Sequence, residues 1–355
     1  MVFVAGCLDF TLGACLNVPL AGRLSFGKII AYSIQSAAPP FPVFVIAYAI
    51  DGVGIALQEA QANSFVATLK KHSEVKMSLT HSFFGLGAFI VPLVVTRFVQ
   101  LQWHWSFFFL ISLGFAVINT TLLAAVFKLQ PRDRCLAETG QPVIEKGCPV
   151  AEEDRQDDPS RKSFRQILSH PGVYLLAAFL FMDIGVNATI GGWMVTFLKR
   201  ERHGGARAGY VSSGFFGGLT LGSVALLWFN TLVGERYATL VYTVLAIGLE
   251  FIVWCVPSFI GNAIVISFIG FFLGPLYPLA MNHAGRTLPR EILSGSIGLI
   301  AGFGQMGGAV YPSVAGTLTE RFGIARTLHP MLISMIAALA VLWGIINMLG
   351  RAGRH

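Results

Sequence analysis

Charge is what this chain holds least of: Asp, Glu, Lys and Arg together make up 12% of its 355 residues, about half the share of a soluble globular domain. So few ionic groups cannot cover a water-facing surface, which excludes an ordinary soluble enzyme or binding module. Cysteine is scarce too, with Cys7, Cys15, Cys135, Cys148 and Cys255 the only five. Their spacing matches no zinc site and implies no disulfide framework. Also missing are the segments of about ten alternating apolar and polar residues that a membrane barrel needs. What the chain has in excess is apolar length: 54% of it is hydrophobic, 29 residues are Phe, and these fall in runs of about 20, enough for a helix to cross a hydrocarbon core.

Eleven such spans are expected, at 1–20, 28–38, 42–69, 79–98, 104–127, 171–198, 209–230, 238–256, 259–281, 292–317 and 330–349. Within lipid every backbone N–H and C=O must be satisfied inside its own segment, so each span reads as a helix. The fold class is all-α, a polytopic bundle in the membrane. Most Lys and Arg fall on one side of the spans if Met1 starts outside, including Arg23, Lys28, Lys70, Lys71, Lys76, Arg236, Arg286 and Arg290. That side is the cytoplasm by the positive-inside rule. The net charge of +7 is therefore a topology signal and implies no nucleic-acid partner.

One connection differs from the rest. Residues 128–169, with "EEDRQDDPSRK" at their centre, carry dense charge of both signs and few apolar groups, as a solvated linker does. It divides the chain into an N-terminal bundle, 1–127, and a C-terminal bundle, 170–355. Five spans then precede the linker and six follow it, whereas transporters are commonly built from two matching halves. One helix is expected to be missing before Met1. The short span at 28–38 is about ten residues below a full crossing. A truncated, non-transporting relative is the alternative reading that these features leave open.

Two patterns mislead. "GFGQMG", from Gly302 to Gly307, fits the dinucleotide fingerprint, yet that motif acts only between a strand and a helix. Here it is a packing surface, like Gly298/Gly302, Gly304/Gly308, Gly214/Gly218/Gly222 and Gly270/Gly274, small residues four apart that let helices approach closely. No His and carboxylate cluster at metal spacing and no nucleophile with a paired base appears in the spans. No enzymatic activity and no cofactor are expected.

The functional signal is carboxylate inside the spans. Asp9, Asp51, Glu59, Asp183 and Glu250 lie at membrane depth, while Lys and Arg are expected in loops or at span edges. Such acids are costly in lipid and line cavities or proton paths. The third span concentrates them: at 100° per residue Asp51 and Gln58 share one stripe and Glu59 and Asn63 another. In the sixth span Asp183 and Asn187 are one turn apart and precede Gly191, Gly192 and Trp193; Gln305, Tyr311 and Tyr277 add polar groups at mid-depth. Glu250, four residues before Trp254, reads instead as structural or interfacial.

The stretches "QEAQANSFV" (58–66), "HSFFGLGAFIVPLV" (81–94), "IGGWMVTFL" (190–198), "GPLYPLAMNHAGRTLP" (274–289) and "GSIGLIAGFGQMGGAVYPSVAG" (295–316) resemble the major facilitator superfamily, in the branch similar to fucose permease and the fungal bypass-of-stop-codon type transporters. The resemblance implies twelve helices in two bundles around a central cavity. It also implies that Glu59, with Asn63 beside it, takes part in sugar and proton handling. The cytoplasmic signature G-x-x-x-D-R-x-G-x-K is only partly kept in "PLAGRLSFGK", where Gly22 replaces Asp and Ser25 replaces Gly.

The expectation is a secondary transporter of a small polar solute, a sugar being the candidate, working by alternating access with Gly191-Gly192, Gly302 to Gly308 and Pro312 as flexible points. Glu59, Asn63, Gln58, Asp51, Asp183, Asn187, Trp193, Tyr277 and Gln305 are the candidate substrate-binding or proton-coupling residues. Solute, protons and the lipid bilayer are the expected partners, and the protein is expected to be a plasma-membrane monomer.

Overall fold

The computed structural model describes residues 20–67, 73–127 and 166–352. The expected first span, Asp9 and the core of the charged linker lie outside them. Every regular element among the described residues is helical, with twelve α-helices and one 3₁₀ turn, so the chain is an all-α bundle. Among the described residues four helices are long and apolar enough to cross a membrane, and two successive helices bent by 49°, Gly209–Ala225 and Leu227–Val233, reach that length and hydropathy together.

The helices fall into two compact units, one of Met1–Ser73, Ser106–Val173 and Leu288–Gly302, the other of Glu74–Trp105, Tyr174–Thr287 and Phe303–His355. In the first, α1 (Leu20–Ser36) and α2 (Phe41–Ala67) form a hairpin. Consecutive prolines, Pro39 and Pro40, cannot continue α1. Ala38 at φ +52° turns the chain between them. Ala31 and Ala47 are completely buried, and their small side chains let the two helices lie close. Phe109 of α4 (Phe107–Phe127) meets Phe44 and Tyr48 of α2 edge to face, at 5.7 and 6.2 Å.

α1 departs from the sequence expectation. The helix begins eight residues earlier than the short span at 28–38, because Leu20, Leu24 and Phe26 are good helix residues and no proline interrupts them. Lys28 therefore lies inside a helix, where the sequence places it at a span edge. The hairpin sets Lys28 opposite Asp51, each roughly 12–15 Å from the turn at about 1.5 Å per residue.

The second unit is built on glycine. α6 (Gly209–Ala225) and α9 (Phe259–Leu273) touch through Gly214, Gly218 and Gly222 on one side and Gly270 and Gly274 on the other. A Cβ on Gly218 would run into the Ser267 carbonyl, one on Gly222 into the Phe271 carbonyl, and one on Gly270 into the Phe215 carbonyl. Backbone is therefore in contact with backbone, the arrangement that holds helices together where lipid gives no hydrophobic drive. α9 starts at Ser258, whose hydroxyl accepts the Gly261 N–H at 3.1 Å as an N-cap.

The rest of this unit follows in chain order. α3 (Ser73–Gln100) and α5 (Pro171–Glu201) come first. α6 breaks at Leu226 into the short α7 (Leu227–Val233), and Gly234 at φ +84°, a conformation open to glycine, turns the chain into α8 (Glu235–Cys255). α9 gives way at Gly274–Pro275 to α10 (Leu276–Thr287). α11 (Arg290–Phe322), which belongs to this unit from Phe303 onward, carries Pro312 in its interior, and Gly323 at φ +85° leads into α12 (Ile324–Ala352).

Candidate functional site

Within the second unit, α5 and the later half of α11 form the most polar close contact. Gly304, Gly307 and Gly308 of α11 abut Leu180, Phe181, Ile184 and Ala188 of α5, and a Cβ on Gly307 would strike the Phe181 carbonyl. In return Gly185 of α5 leaves room for the Tyr311 ring, whose hydroxyl donates to the Met182 sulfur at 2.8 Å. Further along α5, Trp193 Nε1–H donates to the Pro312 carbonyl at 2.9 Å. Pro312 has no N–H, so the Gly308 carbonyl loses its intrahelical partner and the ladder is weakened there. Gly304, Gly307, Gly308 and Pro312, among the points that the sequence marks as flexible, thus sit at this contact, whereas Gly191 of α5 faces Phe216 of α6.

Asp183 stands on α5 at the level of this contact, 1% exposed. Asn187, one turn later, is its polar neighbour. Even so, neither carboxylate oxygen of Asp183, nor Oδ1 of Asn187, makes a hydrogen bond of good geometry among the described residues. Thr189, fully buried, returns its hydroxyl to the Gly185 carbonyl at 2.7 Å and so offers nothing to Asp183. Gln305 falls between Gly304 and Gly308, at the level of Asp183; it is half-buried and engaged with its surroundings. Asp183, Asn187, Trp193 and Gln305 are therefore brought to one helix pair. Tyr277 is half-buried on α10 and, like Gln305, engaged with its surroundings.

Asp51 belongs to the first unit. Its carboxylate accepts a hydrogen bond from the Tyr32 hydroxyl and feels the positive charge of Lys28. Tyr32 and Gln35 follow Lys28 at four and seven residues, so one face of α1 presents all three to α2. Gln35 is wholly buried with neither amide atom bonded, and Asp51 keeps one free oxygen. The placing of Lys and Arg only in loops or at span edges is thereby corrected, because the α1–α2 hairpin brings Lys28 to Asp51. Gln58, Glu59 and Asn63 continue α2 toward its C-terminal end; their side chains lie outside those described.

Two features leave no mark in the sequence. In α8 and α12, Glu250 Oε1 lies 2.6 Å from His329 Nδ1, and both side chains are fully buried. The interfacial reading of Glu250 is corrected by this contact: Glu250 is internal and paired, because α8 turns it toward α12 and away from the lipid. His329 sits 79 residues away, so no local spacing could reveal it. The second feature is a cavity of about 400 Å³ at the far ends of the helices, lined by Ser223, Asn230, Thr231, Glu235, Asn282 and Arg286 among others. It lies where α6 breaks into α7 and α9 into α10. Glu235 and Arg286 form an ion pair at 3.3 Å across it, and the buried Asn230 is held by the Tyr242 hydroxyl at 2.7 Å. Among the described side chains, none of those selected from the sequence lines this cavity.

The profile of the Major Facilitator Superfamily matches residues 20–312. Bypass of stop codon protein 6 of Saccharomyces cerevisiae is 27% identical over 345 residues, covering 90% of this chain and 67% of that protein. Among solved structures, the human organic anion transporter MFSD10 superposes with a TM-score of 0.69 at 15% identity, over 96% of this chain and 81% of its own. The fucose:proton symporter FucP of E. coli gives 0.64 at 14% identity, over 97% and 98%.

Proposed function

Since this chain belongs to the major facilitator superfamily, a family of multi-pass membrane transporters, we propose that it moves a small polar solute across the bilayer by alternating access, with proton coupling. A sugar is the solute class that its polar, uncharged amide and aromatic groups suit best. The two bundles flanking the charged linker, 1–127 and 170–355, would rock about a midplane site.

The observation that carries this reading is Asp183: a buried carboxylate without a well-formed hydrogen bond, one turn from an amide whose oxygen also lacks one. Burying such a group in lipid is expensive unless it meets water, solute or a proton. The neighbouring helix α11, which packs on α5 through Leu180, Phe181, Ile184 and Ala188, is lined with glycine and weakened at Pro312, as a helix that moves around a site requires. In this scheme Asn187, Gln305, Gln58 and Asn63 meet solute hydroxyls, Trp193 and Tyr277 give it aromatic surfaces, and Glu59 and Asp51 carry the proton. The plasma membrane is the proposed location and a monomer the proposed unit.

The test is transport by protein reconstituted into liposomes. Asp183→Asn should lower both net uptake and solute exchange, as loss of a solute contact does. Glu59→Gln should abolish proton-driven accumulation and leave exchange intact. Unchanged pH-dependent accumulation in Glu59→Gln sinks the proton role, and unchanged exchange in Asp183→Asn sinks the site.

A further inference from the structure

At the ends of the second unit's helices where Arg202 follows α5, buried polar groups gather without partners. Glu250 lies five residues before the end of α8 and His329 five residues after the start of α12, each about 8 Å deep. Asn262 stands three residues into α9 and Thr319 three residues before the end of α11, each about 5 Å deep. The Nδ1 and Oε1 atoms of the pair bond each other. Glu250 Oε2, His329 Nε2, both amide atoms of Asn262, Thr319 Oγ1 and Arg202 Nε have no partner among the described residues. So many orphaned groups in one layer mark a place where ordered water or a bound ion belongs.

The layer is closed over by aromatic rings. Phe197 presents its edge to His329 at 4.5 Å, and Trp254 stacks on the same imidazole at 6.0 Å with the planes 19° apart. Arg202 completes the cover: its guanidinium lies 5.2 Å over Phe197 and donates to the Trp254 carbonyl at 3.2 Å. A metal cation is a poor occupant, because among the described residues the site offers one His and one carboxylate only, with Arg202 close by.

We infer that Glu250 and His329 form a proton-binding site beneath Arg202, separate from the solute site proposed above. One proton shared between Nδ1 and Oε1 leaves the pair neutral overall; binding one more makes it a cation, and releasing the shared one makes it an anion. Asn262 and Thr319 add buried, uncharged polar groups at the same helix ends. Other charged groups stand clear of it. α9 contributes none. Arg326 of α12, Glu320 and Arg321 of α11, and Lys199, Arg200 and Glu201 of α5 are exposed. Arg202 alone bonds into the layer, and movement of its side chain opens a path for the proton.

Trp254 provides the readout, since a protonated imidazole quenches the fluorescence of an indole stacked on it. The emission of purified protein is titrated in detergent without any solute, and the same titration of Trp254→Phe is subtracted. The expected result is a sigmoidal step in the Trp254 signal along the pH titration, lost in His329→Gln and displaced along the pH axis in Glu250→Gln. A flat difference signal overturns the inference, and so does a step that survives unchanged in His329→Gln. If His329→Gln does not fold, the wild-type and Trp254→Phe difference still decides. Because no solute is present, failure of the transport reading leaves this result unaffected, and the reverse also holds.

Discussion

Trp193 of α5 donates its indole N–H to the carbonyl of Pro312, the residue that breaks the ladder of α11, across 2.9 Å. The same indole fills the space left by Gly316, where a Cβ would come within 3.0 Å. A weakened helix is thereby tied to its neighbour at a single point. Trp193→Phe keeps most of the contact and removes the bond, so stability should fall by about 1 kcal/mol. Thermal unfolding in detergent measures it, and an unchanged midpoint would show the bond to be incidental.

The glycine contact between α6 and α9 gives a sharper contrast. A leucine at Gly218 cannot avoid the Ser267 carbonyl, and overpacking of this kind costs about 1–3 kcal/mol. A Cβ added at Gly248 of α8 would meet nothing within 4 Å; alanine there should be neutral or stabilising by up to about 1 kcal/mol. Comparing the unfolding midpoints of Gly218→Leu and Gly248→Ala checks both. Equal effects would contradict the role given to the glycine stripe.

These glycine pairs were legible in the sequence, as were helices at ten of the eleven expected positions, because small residues four apart and long apolar runs leave a local signature. The pairing of polar groups was not. Asp183 and Asn187 could be matched along one helix, but His329 reaches Glu250 only through the packing of α8 on α12. Lys28 reaches Asp51 only through the packing of α1 on α2. Single-sequence periodicity reports what lies along a helix and is blind to what lies across from it.

Lys28 lies near enough to Asp51 across the α1–α2 hairpin for its charge to act on the carboxylate. Removing one member of such a pair leaves the other uncompensated, whereas removing both is much milder. Lys28→Met should therefore lower the yield of folded protein more than the double variant Lys28→Met/Asp51→Asn. Fluorescence-detected size exclusion makes the comparison, and a double variant worse than the single one would contradict it.

The ion pair between Glu235 and Arg286 is partly exposed, so Arg286→Gln should cost less than about 1 kcal/mol. The cavity beside it should be wet. A cysteine at Asn282 in a background from which all five native cysteines have been removed should react with a membrane-impermeant thiol reagent from the cytoplasmic face only. Labelling from the opposite face would reverse the orientation drawn from the positive charges.

Transport itself is measured by the accumulation of radiolabelled neutral monosaccharides in proteoliposomes, with and without an inward proton gradient. At least one sugar should accumulate above its outside concentration only while the gradient lasts, and a protonophore should abolish this. No uptake and no exchange of any sugar by protein that is monodisperse and correctly inserted would contradict the proposed function.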